Sequence, residues 1–188
     1  MRNVIYVIVS LIIVSLSACN GKKPVEEPQT LPQLTEGSSV QDSTIYGRCG
    51  ESTAMHVVEI ILNNGDTMRC SINTDDTINV PDVVRGGLFV GDRLAATATK
   101  TADGSFKATR VINLTTLTGT WTAINRQLTI EEDGTVTGST NEPHPYTTWR
   151  IINGRLLLPP DTFDIYSLGA DSLWLEDNKG IYEYRRMR

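Results

Sequence analysis

From Ile45 to the C-terminus, apolar and polar residues alternate in short runs, each closed by Gly, Asn, Asp or Pro. A period of two puts every second side chain on one face, the pattern of a half-buried strand. No stretch holds a 3.6-residue period long enough for a substantial helix. The predicted strands of the first half lie at roughly 45–50, 56–62, 66–73, 92–99 and 106–114. In the second half a strand opens at Gly119, and others follow at about 127–131, 135–139, 146–152, 155–158, 162–168, 172–176 and 181–186. The chain is predicted to be all-β.

The turns set several registers. Met68, Cys70 and Ile72 alternate with Arg69, Ser71 and Asn73, so the first set faces inward. A two-residue Asn64-Gly65 loop would place Cys70 opposite Glu59, on the wrong face. A three-residue loop with Gly65 left-handed pairs Ile60 with Met68 and Val58 with Cys70, which the apolar pattern selects. Ile45 and Cys49 share a face of the preceding strand, so Cys49 and Cys70 point into one small core. That leaves them as a disulfide or as two buried thiols. Further on, Asn153-Gly154 is a two-residue hairpin signal that pairs Ile151 with Leu156 and Trp149 with Leu158. Across the loop at 177–180, Leu173 meets Tyr184 and Leu175 meets Tyr182, which sends Trp174 to the opposite face.

Between the third and fourth runs, residues 81–86 read as a single helical turn, with Pro81 at its first position and Gly86 at its end. Three strands, a connector and two strands resemble an OB-type barrel in layout. Residues 45–114 carry 7 basic and 8 acidic side chains and only Tyr46, Phe89 and Phe106 as aromatics. Nucleic-acid-binding barrels need a basic, aromatic face, so nucleic acid is not an expected partner.

The N-terminal stretch departs from the alternating pattern. An apolar run from Val4 to Leu16 follows Arg2 and ends in Leu16-Ser17-Ala18-Cys19. It is shorter than the ~20 residues a spanning helix needs and closes on small residues, as a cleaved signal peptide does. Ala18 before Cys19 resembles the bacterial lipobox. The resemblance implies cleavage before Cys19, acylation of that cysteine and anchorage in a membrane. Asn20, rather than aspartate, then points to the outer membrane, facing either the periplasm or the exterior. Residues 20–43, with Pro24, Pro28 and Pro32, read as a polar tether spanning roughly 27 Å as a coil and up to about 75 Å extended. Removing residues 1–18 takes Arg2 from a chain of 17 basic and 22 acidic residues, leaving a net charge of −6. A basic lipid-headgroup patch is therefore not expected.

The second half holds all three tryptophans. Gly119-x-Trp121, Leu128-x-Ile130, Asp133-Gly134-Thr135, Trp149, Gly154-x-Leu156-x-Leu158 and Asp171-Ser172-Leu173-x-Leu175 resemble lipocalin-like domains of bacterial lipoproteins. Gly91-Asp92 and Ala108-Thr109-Arg110-Val111 match the companion domain that precedes them in such proteins. The resemblance covers 45–188 and implies an OB-like five-stranded barrel over 44–115 and a short, about eight-stranded lipocalin-like barrel over 116–188, after a signal at 1–18 and a lipidated tether at 19–43. It also implies that Trp121 is capped by a basic residue near the chain end, Arg185 or Arg186. The 72 residues from 117 to 188 are too few for a deep cup.

Trp149, Ile151, Leu156, Leu158, Tyr182 and Tyr184 would line a pocket or fill a core. Trp174, facing outward, is the candidate partner contact. No serine sits in a Gly-x-Ser-x-Gly elbow, and His144, between two prolines, is the one candidate base outside the first barrel. Asp161 and Asp164, three apart on a strand, face opposite ways. With only His56 and His144 and no Cys-x-x-Cys, no metal or cofactor is expected. The expected function is a non-catalytic envelope binding module for a small apolar ligand or a protein partner. The alternatives are an accessory subunit of an outer-membrane assembly and, behind it, a lipid- or glycan-directed hydrolase.

Overall fold

The computed structural model describes residues 41–72, 83–138 and 145–187. The signal segment, Cys19, most of the predicted tether, Pro81 and His144 lie outside them. The first half forms β1 (Ile45–Cys49), β2 (Val57–Leu62), β3 (Thr67–Ser71), β4 (Val84–Arg85), β5 (Arg93–Lys100) and β6 (Phe106–Asn113). β1, β2 and β3 run as an antiparallel meander; β1 also pairs with β5, and β5 with β6. A parallel pairing of β3 with β6 closes these five strands into a barrel of OB-like order.

The apolar pattern chose the correct register at the first hairpin. Val58 lies opposite Cys70 and Ile60 opposite Met68, with Gly65 at φ 89°. Both cysteines sit in the core with Val58, Ile60, Leu94 and Val111, but as free thiols. The disulfide left open by the sequence does not form, because Cys49 pairs with Ile60 on one side of β2 and Cys70 with Val58 on the other. Two strand spacings separate the thiols by roughly 10 Å, beyond the Cα reach of a disulfide. Burial also pushes the Cys70 pKa up. Ellman's reagent is expected to label neither Cys49 nor Cys70 until denaturant is added; rapid labelling of the folded protein would contradict this core.

The helical turn predicted over 81–86 is a correction in its second half. Val84 and Arg85 are extended and run parallel to β6, opposite Val111 and Ile112. β3 covers only the start of β6, at Phe106 and Lys107, so the far end of β6 would otherwise keep unpaired backbone groups. β4 fills that edge.

After β6 comes α1 (Leu114–Leu117), one short turn that the pattern did not predict. Asn113, fully buried, caps it: Oδ1 accepts from the Thr116 N–H at 2.9 Å, while Nδ2 donates to Asp92 Oδ2 at 2.6 Å. The domain boundary predicted at 115/116 falls inside this turn.

The second half forms β7 (Gly119–Ala123), β8 (Arg126–Ile130), β9 (Val136–Gly138), β10 (Arg150–Ile152), β11 (Arg155–Leu158), β12 (Asp161–Leu168), β13 (Ser172–Asp177) and β14 (Gly180–Arg186). These eight strands follow one another around a curled sheet, and β14 returns to pair with β7. The sheet is open between β9 and β10, where Thr135 and Thr148 form a single bridge. The predicted pairs Ile151–Leu156, Leu173–Tyr184 and Leu175–Tyr182 are all present. The ladder beyond Ile151 stops at Arg150–Leu157, so Trp149 and Leu158 are not paired. Trp149 instead donates its N–H to Gly134 O at 2.9 Å, spanning the open edge.

The two barrels share apolar packing. On β5, Leu94 and Ala96 face the first core while Ala95 faces the second; on β6, Val111 and Ile112 divide in the same way. Tyr46, Ala95, Ile112 and Arg85 form one cross-strand row on the outside of the first barrel. That row meets the second barrel: Tyr46 Oη donates to Ile151 O at 2.7 Å, and Arg85 Nε to Ile165 O at 2.9 Å. The end of the predicted tether docks as well, since Asn153 N–H donates to Thr44 Oγ1 and Asn153 Oδ1 accepts from Ser43. Ser43, the last residue of the predicted tether, is therefore held against the second barrel.

Candidate functional site

Trp121 lies at the base of the second core, fully buried, with its indole N–H donating to Leu117 O at 2.8 Å. Of the two basic residues proposed to cap it, Arg186 does so, its guanidinium carbon 4.1 Å from the ring centroid. Strand alternation decides between them: Arg185 lies opposite Thr122 and is exposed, whereas Arg186 lies opposite Trp121. Arg186 also donates to three carbonyls, Ala170 O from Nε at 2.6 Å, Thr118 O from Nη1 at 2.9 Å, and Thr116 O from Nη2. Partial burial lowers its pKa from the ordinary value, against the opposing charge of Asp171.

The residues predicted to line a pocket or fill a core fill the core. Ile151, Leu156, Leu158 and Tyr184 are buried, Trp149 is 8% exposed, and Tyr182 packs against them. At one end of this core the ring of Phe163 meets Tyr146 and Tyr182 edge-on. Tyr146 Oη donates to Asp161 Oδ2 at 2.8 Å, and burial together with that carboxylate raises its pKa far above the phenol range.

Trp174 lies on the outer face opposite Glu183, as the parity required, and stacks on Tyr166 with centroids 6.1 Å apart. It borders a groove of about 620 Å³ lined also by Thr122, Ile124, Asp171, Glu183 and Arg185. Ile124, at the tip of the β7–β8 hairpin, is 99% exposed.

A second recess lies along the seam of the two barrels, about 370 Å³, with Leu94, Leu114 and Trp149 among its lining residues. Arg48 and Arg93 line it from the first barrel, and Arg150, Glu132 and Asp133 from the second. Arg93 pairs with Glu132 at 2.9 Å, while Asp133 is turned back onto Thr135, which lowers its pKa. The acidic triplet Glu131-Glu132-Asp133 thus supplies, through Glu132, a bridge to the first barrel. Pattern reading missed these arginines, because their convergence depends on how the barrels dock.

Asp161 and Asp164 take different partners, Tyr146 and Lys179 for one and Arg155 for the other. No group of three or more metal-binding side chains occurs among the described residues. Comparison of the chain with protein-family models, curated proteins and solved structures gives no match.

Proposed function

We propose that the protein is a lipid-anchored lipoprotein of a bacterial outer membrane, acting without catalysis as a module that holds a protein partner. The anchor reading rests on Leu16-Ser17-Ala18-Cys19 and the apolar run before it. The partner reading rests on one observation above others: side chains fill the second barrel's interior. Trp121, Ile151, Leu156 and Leu158 are each no more than 1% exposed, which favours an external contact over an enclosed apolar ligand. The outer face offers Trp174 and Ile124 beside the larger groove, apolar anchors of the kind that dominate protein interfaces. An accessory subunit of an outer-membrane assembly would use the same face.

The test is purification of the full chain from detergent-solubilised envelopes. A stoichiometric envelope protein is expected to accompany it, with recovery falling about tenfold in Trp174→Ala/Ile124→Asp and the melting temperature nearly unchanged. Equal recovery from that variant would sink the partner face. Co-purified lipid, lost on Trp149→Ala, would return the function to an apolar-ligand carrier.

A further inference from the structure

We infer that the seam between the barrels is a binding site for a small oxyanion, a carboxylate or phosphate carried on an apolar or planar body. The inference is independent of the partner face at Trp174. It begins with a pairing that strands normally avoid. Arg48 and Arg93 are direct cross-strand partners at the end of the β1–β5 ladder, on the outer face that also presents Tyr46. Like charges directly opposite one another destabilise a sheet, so their juxtaposition calls for a compensating anion. Glu132 compensates Arg93 only.

Arg150 joins the pair from the second barrel, through β10. No described carboxylate forms an ion pair with Arg48 or Arg150. Arg48 spends one donor on Gly91 O at 2.9 Å, which orients the guanidinium and leaves its other N–H groups for a ligand. Asp42 feels the charge of Arg150, yet its carboxylate is held mainly by the Thr44 hydroxyl at 2.6 Å. Asp133 is likewise committed to Thr135 at 2.6 Å. Among the described residues the recess therefore keeps two guanidiniums without a direct ion pair, beside an acidic group already spent on Arg93.

Its size and lining narrow the ligand further. A recess of about 370 Å³ is at the lower end of small-molecule sites. Leu114 and the edge of Trp149 give it some apolar lining, so a ligand that also buries a ring or short hydrocarbon gains more than a bare ion. Guanidiniums match carboxylate and phosphate alike, through forked hydrogen bonds.

The full chain in detergent is titrated calorimetrically with phenyl phosphate, benzoate and inorganic phosphate, with benzyl alcohol as the uncharged control. Saturable binding of phenyl phosphate or benzoate is expected, weakening as salt rises. Binding is expected to fall about tenfold or more in Arg48→Gln and in Arg150→Gln, the loss that follows removal of a charge-assisted hydrogen bond. Among the described residues the exposed Arg150 side chain makes no hydrogen bond, so its variant reports binding even if Arg48→Gln is unstable. Preference for phenyl phosphate would assign a phosphate source, and preference for benzoate a carboxylate source; either supports the site. No saturation by ~10 mM, equal affinity for benzyl alcohol, or unchanged affinity in Arg150→Gln would overturn it.

Discussion

Trp121→Ala is expected to destabilise the protein by about 3–5 kcal/mol, the cost of emptying a large aromatic from a packed core. For a chain of this size that lowers the melting temperature by roughly 10 °C. The ring is fully buried, its N–H is satisfied by Leu117 O, and Arg186 covers its face. Arg186→Ala should cost about 2–3 kcal/mol by a different route. It removes the cation over the ring and leaves the carbonyls of Thr116, Thr118 and Ala170 without this donor. Arg186→Lys should rescue only part of the loss, since a lysine has no planar fork to reach three acceptors. Arg185→Ala is the internal control, because Arg185 is exposed. Urea denaturation of the four variants checks the set, and equal effects at 185 and 186 would refute the plug.

Cys19→Ala is expected to move the protein from the membrane fraction to the soluble one almost completely. The folded unit should be unchanged, because residue 19 lies well before its first described residue, Gln41. At about 0.8 kcal/mol per methylene, each long acyl chain contributes on the order of 10 kcal/mol, and two chains suffice for stable anchoring. Labelled palmitate should appear on the wild-type chain and not on the variant. Cys49 and Cys70 offer no substitute site, both being buried in the first core. A wild-type chain that partitions into the aqueous phase of a detergent separation would remove the anchor from the account.

Much of the fold was legible because local rules agreed. At Asn64-Gly65 the turn alone allowed two registers, and alternation of Met68, Cys70 and Ile72 selected the one present. At Asn153-Gly154 turn and pattern coincided, with Asn153 at φ 49° and Gly154 at φ 78°. What escaped was set by contacts between distant segments. Ala95 and Ile112 read as ordinary members of short apolar runs, since a strand buried on both faces loses its alternation. β4 could not be foreseen from Val84 and Arg85, because only the uncovered end of β6 makes a strand of them. The choice between Arg185 and Arg186 needed the β14–β7 register, which rests on two residue pairs. The seam recess needed the docking of both barrels, so none of its arginines stood out along the chain.

Because Ala95 and Ile112 belong to the neighbouring core, and Tyr46 and Arg85 are latched to it, the junction between the barrels is not a hinge. A guest bridging both halves meets walls already held at fixed spacing. It has little loop or interdomain freedom to extinguish on arrival, so weak individual attractions translate into affinity with less entropic loss.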